Sequence, residues 1–190
     1  MEQVANGKVQ PCLRLSIKKG VCIPILIWLT LAASIIAADL SLEYQVKSAF
    51  LLNFTKFIEW PAGAFSAPDS PISICIWGEN PFGTALDQMV KGEVVSGRRV
   101  AVAYVKETPP PQSCHIVFWG GPNKEIRTLP AFGPGALTVG EGASFLRDGG
   151  MIAFVIENHR VRFEINQAAA ERAGLKLSSK LLSVAKPAER

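Results

Sequence analysis

The chain has 190 residues, 48% of them hydrophobic, and a formal net charge of +4. Its first 38 residues hold four basic side chains and one acidic one, so the remaining 152 carry a net charge of only +1. A surface so close to neutral lacks the basic field that nucleic-acid binding needs, and a body of that length supports one hydrophobic core and no second comfortable domain.

Lys8, Arg14, Lys18 and Lys19 precede a stretch from Val21 to Ala38 that contains no charged residue. A basic head, an apolar run through Leu26, Ile27, Trp28, Leu29, Leu31, Ile35 and Ile36, and the small pair Ala37-Ala38 make the pattern of a secretory signal cleaved near Ala38. The expected division is therefore a signal peptide over 1–38 and one domain over 39–190. An uncleaved anchor is the alternative, since the 18 residues from Val21 to Ala38 approach the roughly 20 that span a bilayer; Pro24 inside the run and the small residues at its end favour cleavage. Cys22 opens the apolar run instead of closing it, which argues against a lipid-acceptor cysteine.

Beyond the signal, Leu42, Val46, Phe50, Phe54 and Phe57 recur at helical spacing with Glu43, Lys47 and Lys56 between them, predicting an amphipathic helix from Leu42 to Trp60 stopped by Pro61. Its aromatic residues read as core, although a ligand-binding stripe would show the same spacing. Ile72–Gly78 alternates as a strand. Pro81–Lys91 reads as a helix with Pro in its first turn, Ala85, Leu86, Met89 and Val90 inward, and Gly92 closing it. Arg99–Val105 is a further strand, the triplet Pro109-Pro110-Pro111 forbids regular structure, and Cys114–Gly120 is an apolar run suited to a central strand. A short helical piece over Asn123–Leu129, a strand over Ala136–Val139 and a helical turn over Ala143–Arg147 follow. Met151–Ile156 and Arg160–Ile165 form an antiparallel pair joined through Glu157-Asn158-His159. Gln167–Ala173 is a helix closed by Gly174, and Ser178–Ala185 a final helix opened by a serine cap, with Leu181, Leu182 and Val184 to bury. The order implies a single compact α/β domain whose mixed sheet of about five or six strands is flanked by helices.

The body keeps two cysteines, Cys75 and Cys114. In an oxidising compartment they are expected to be bridged, two separate buried thiols being the alternative. A bridge across 39 positions would stabilise the fold by about 4 kcal/mol on the chain-entropy account. Metal binding has little to draw on, with only His115 and His159 to add to the cysteines, and no cofactor is implied. A Cys114–His115 catalytic dyad fails on geometry, because strand neighbours point to opposite faces and an oxidised cysteine attacks nothing; His115 reads as structural. No nucleophile elbow, phosphate loop or zinc-binding helix is present. Gly78-Glu79-Asn80-Pro81-Phe82-Gly83 follows a strand and opens a helix, but its glycines are wrongly spaced for a dinucleotide fingerprint. With Gly120-Gly121-Pro122 ending the adjacent strand, it allows a small-ligand crevice at the strand ends. Arg160, Arg162, Glu164 and Asn166 alternate with Val161, Phe163 and Ile165, giving an aligned polar strand face: ordinarily a solvated face, alternatively a contact row for a partner or ligand.

Five blocks, Tyr44–Pro61 (YQVKSAFLLNFTKFIEWP), Ile72–Leu86 (ISICIWGENPFGTAL), Cys114–Phe118 (CHIVF), Leu137–Asn166 with its GGMIAFVIENHRVRFEIN ending, and Ala173–Ala185 (AGLKLSSKLLSVA), together resemble the YfiR family of periplasmic proteins. The resemblance implies a non-enzymatic periplasmic regulator that represses the periplasmic part of an inner-membrane signalling protein, a diguanylate cyclase, so lowering cyclic di-GMP and biofilm output. It also implies relief by an outer-membrane lipoprotein, a homodimer, and a disulfide between the positions of Cys75 and Cys114. Some relatives carry a second cysteine pair near the Gly-Gly hairpin, which this sequence lacks. Glu164, Asn166 and Lys180 are polar members of the matching blocks and join Arg160 and Arg162 as the candidate partner or ligand surface. A periplasmic small-molecule sensor or carrier is the alternative function.

Overall fold

The computed structural model describes residues 42–121, 129–130 and 132–187. The expected signal peptide, and residues 123–128 of the expected short helix, lie outside them. Helix α1 covers 42–57 and is followed at once by strand β1 (Ile58–Glu59), a 3-10 turn (Ala62–Ala64), β2 (Ile72–Gly78), α2 (Ala85–Val90), β3 (Val94–Val95) and β4 (Arg98–Val105). Then come β5 (Ile116–Gly120), β6 (Leu137–Glu141), α3 (Ala143–Arg147), β7 (Ile152–Glu157), β8 (Arg160–Ile165), α4 (Gln167–Arg172), β9 (Lys176–Leu177) and α5 (Ser179–Val184).

Seven strands form one mixed sheet in the order β3-β4-β2-β5-β6-β7-β8, and β1 pairs with β9 separately. The strands from β4 through β7 are parallel, while β3 and β8 run antiparallel at the two edges. The six expected strands are all present in the large sheet, where β3 is the addition; the β1–β9 pair is a further one. Strand β3 arises because Ser96 and Gly97 both take positive φ, 52° and 79°, which closes a two-residue hairpin onto β4.

Period-two alternation sorts the sheet residues onto two faces. On one, Ile72, Ile74 and Ile76 of β2, Ile116 and Phe118 of β5, Leu137 and Val139 of β6, Ile152 and Phe154 of β7 and Phe163 of β8 meet α1, α2 and α5 in the main core. Phe54 of α1 lies fully buried, 5.2 Å in ring separation from Phe163, and Phe50 makes an edge contact with the same ring. The aromatic stripe of α1 is thus core. On the other face, Cys75, Cys114, Val117, Phe132 and Ala136 form a second, smaller cluster with Trp77, Val105 and Leu129.

Two helix boundaries differ from the periodicity. Helix α1 ends at residue 57, because Ile58 pairs with Leu177 and the Phe57 carbonyl accepts from Ser178 N–H at 3.0 Å, so strand pairing displaces the last helical turn. Helix α2 begins at Ala85, not Pro81: the Asn80 side chain accepts from Phe82 N–H and donates to the Gly83 carbonyl, both at 3.0 Å, and holds that segment in a turn. Its Met89 faces solvent, leaving Leu86 and Val90 as the buried residues. Ser178 caps α5 as expected, accepting from Leu181 N–H at 3.2 Å, but of the three residues expected inside only Leu181 is fully buried, and Val184 is exposed.

Candidate functional site

Cys75 and Cys114 are joined by a disulfide with their Cα atoms 5.7 Å apart. The bridge ties the middle of β2 to the residue that leads into β5, and both sulfurs are buried beneath Phe132 and Ala136. Trp77 and Trp119 pack on the same side with ring centroids 4.4 Å apart.

His115, one residue on, turns to the other side. Its Nδ1 accepts from Ser73 N–H at 3.1 Å, its ring stacks on Phe65 at 4.4 Å, and Trp60 meets it edge-on. The Arg98 guanidinium lies 3.7 Å over the Phe65 ring and is held by the carbonyls of Ser70 and Ala67. Burial holds the imidazole below its ordinary pKa, and the Arg98 charge acts in the same direction against an opposing contact from the Ala64 backbone. A neutral ring with an accepting Nδ1, walled by two aromatic side chains, is a structural group.

The chain builds β4 on one side of β2 and β5 on the other, so the strand order reverses between β2 and β5. Gly78 and Gly120, which end those strands, are register partners, and a crevice of about 420 Å³ opens there between Tyr44, Glu79, Gly120, Gly121 and Glu141. This is the position at which open α/β sheets take ligands. Gly120 serves packing: a Cβ on it would overlap the carbonyl of Glu79, so only glycine lets the β2–α2 loop cross the end of β5.

Lys47 stands behind the crevice. The periodicity places it on the polar side of α1, yet it is 3% exposed, ion-paired with Glu43 on its own helix and with Glu141 at 2.6 Å, with its ammonium 4.4 Å over the Tyr44 ring. It bolts the first turns of α1 to the carboxyl end of β6. Desolvation, followed by the Glu141 carboxylate, pushes the Tyr44 phenol well above its usual range, so it stays protonated. The signal for Lys47 was the Glu43/Lys47 spacing of four; nothing in it pointed to Glu141, 94 positions away.

The row expected on β8 divides. Arg160 and Arg162 are exposed, and Arg162 approaches Glu157 only to 4.0 Å. Glu164 is instead 2% exposed, because the segment after α5 returns alongside β8: Lys186 N–H donates to the Phe163 carbonyl at 2.8 Å and its ammonium lies 3.5 Å from the Glu164 carboxylate. Asn166 is the N-cap of α4, its Oδ1 accepting from Ala169 N–H at 3.1 Å. Both side chains serve the scaffold, Glu164 buried and Asn166 half-buried. Lys180 is exposed on α5.

A family model described as YfiR/HmsC-like matches residues 44–186. No curated protein matches the chain.

Proposed function

As the chain belongs to the YfiR/HmsC-like family, we propose that it acts as a periplasmic regulator. In this reading the domain binds the periplasmic part of an inner-membrane signalling protein, a diguanylate cyclase, and represses it, so that cyclic di-GMP falls. It is made with a signal peptide over 1–38, works without a cofactor or chemical turnover, forms a homodimer, and is relieved by an outer-membrane lipoprotein.

The family match over 44–186 carries the proposal. The Cys75–Cys114 bridge supports the compartment, since disulfides persist where thiols are oxidised. Arg160, Arg162 and Lys180, exposed on two elements, are the residues offered to a partner. The test is cross-linking in cells followed by capture of the tagged protein from membranes. Recovery of an inner-membrane protein that carries a diguanylate cyclase domain is the expected outcome; a capture containing no signalling protein of the inner membrane would oppose it.

The switch-point crevice favours a second reading, a small-molecule sensor. A ligand at a hundred times its dissociation constant would stabilise the fold by about 2.7 kcal/mol, a readily seen rise in melting temperature. No response to nucleotides, amino acids or vitamins would count against this reading.

A further inference from the structure

We propose that the outer edge of β8 and the apolar groove beside it dock an extended segment of a partner protein in which apolar and acidic residues alternate. The proposal rests on the regulatory reading and names the partner's recognition element.

β8 ends the order of the seven-stranded sheet. Glu164 pairs inward with Ala153, whereas the Phe163 carbonyl accepts from Lys186 N–H on the outer side. Backbone groups of alternate strand residues point to opposite sides, so the N–H and C=O of Val161 and the N–H of Phe163 face outward. Among the described residues none pairs with Val161 on that side. An edge with open donors and acceptors is a template for an added strand.

The two faces of this edge differ chemically. On the α1 face, Leu42, Val46, Ile156 and Val161 form the floor of a groove of about 300 Å³ rimmed by Glu43, His159 and Arg160, with Leu42 59% and Ile156 54% exposed. The stripe of α1 that buries Phe50 and Phe54 runs on through Val46 and Leu42 past its cover. Helix α5 is tied at one end to Phe57 and at the other to Phe163, so the cover stops there. By strand alternation Arg160 and Arg162 belong to the opposite face, although Arg160, at the start of β8, also reaches the rim of the groove. Arg160 has no ion-pair partner among the described residues, while Glu157 and Glu164 are both engaged by Lys186, at 3.4 and 3.5 Å. Glu43, at the rim of the groove, is held by Lys47. A strand laid on β8 therefore places every second side chain in the apolar groove and the others beside Arg160, which has no ion-pair partner among the described residues, and Arg162, whose Glu157 is 4.0 Å away and shared with Lys186; guanidinium groups select carboxylates.

The same charges argue against a second copy on this edge. Antiparallel self-pairing centred on Val161 sets Arg160 of each copy opposite Arg162 of the other, and directly opposed like charges destabilise a sheet. Shifting the register toward Phe163 collides with the segment at Lys186.

The test uses the purified protein and two short labelled peptides, one alternating valine with glutamate, the other valine with lysine. Saturable binding of the glutamate peptide is expected, with hydrogen-exchange protection appearing at the amides of Val161 and Phe163. Affinity should fall on the order of tenfold or more in the double variant Arg160→Glu/Arg162→Glu, whose substituted side chains are exposed and leave the fold intact. Val161→Pro, which removes the outward donor, should weaken it similarly. Equal binding of the lysine peptide, or binding unchanged in the double variant, overturns the proposal. If the glutamate peptide fails to bind while cyclic di-GMP still responds to the gene, the docking edge is wrong and the regulatory reading survives. If it binds as described while cyclic di-GMP ignores the gene, the edge stands and that reading falls.

Discussion

Replacing both Cys75 and Cys114 by alanine removes a crosslink that spans 39 positions. Loop closure in the unfolded chain alone assigns the bridge about 4 kcal/mol, and the two lost sulfurs, buried at 1% and 5% exposure, leave small cavities that add on the order of 1 kcal/mol each. The expected loss of about 4 to 6 kcal/mol is a large share of the roughly 5 to 15 kcal/mol that holds a small domain together. Urea unfolding of the wild type and the double variant measures it directly, and the Trp77–Trp119 pair on the disulfide side of the sheet provides the fluorescence signal. A midpoint shift with unchanged slope is the expected form. A loss below about 1 kcal/mol would refute the assignment of the bridge as the staple of that face.

Lys47→Met keeps the side-chain volume and removes the charge between Glu43 and Glu141. Since both carboxylates retain access to water, at 27% and 35% exposure, the cost should be about 2 kcal/mol, short of the 3 to 5 of a fully stranded charge; urea unfolding showing no loss would contradict the bolt between α1 and β6. His115 is held below its ordinary pKa in the folded state, so the unfolded chain takes up its proton first. Stability is therefore insensitive to this group above about pH 6.5 and falls as the pH drops below it. Melting temperatures across this range should show a shallower acid slope in His115→Phe, and an identical slope would remove His115 as the cause. Gly120→Ala forces the β2–α2 loop off the end of β5 and should cost on the order of 2 kcal/mol; a crystal structure of that variant with the loop unmoved would show the contact to be slack.

The parts of the fold legible in the sequence were those governed by local pattern. Ile72–Gly78 alternates because one side of β2 packs under α1 and the other under the disulfide face, and Ser178 opens α5 through a bond three residues long. What escaped was set by distant chain. Ile58 continues the helical stripe of α1, yet β9, more than a hundred positions later, takes it into a strand pair. Glu164 carries the period-two signature of a solvated face and is buried by Lys186, 22 positions on. Lys47 looks like any polar residue of an amphipathic helix until β6 delivers Glu141 beside it. The β3–β4 hairpin was missed for another reason: its local signal, Ser96-Gly97 between Val94-Val95 and Arg98–Val105, is only two residues long on its first strand. The Gly78 and Gly120 crevice was legible because both glycines end apolar runs, although only the strand order shows that they meet at a switch point.

The most direct test of the regulatory account is cellular cyclic di-GMP in strains with the gene, without it, and with it restored. The account predicts a rise on deletion and a return to the starting level on restoration. Identical levels in all three strains would contradict it.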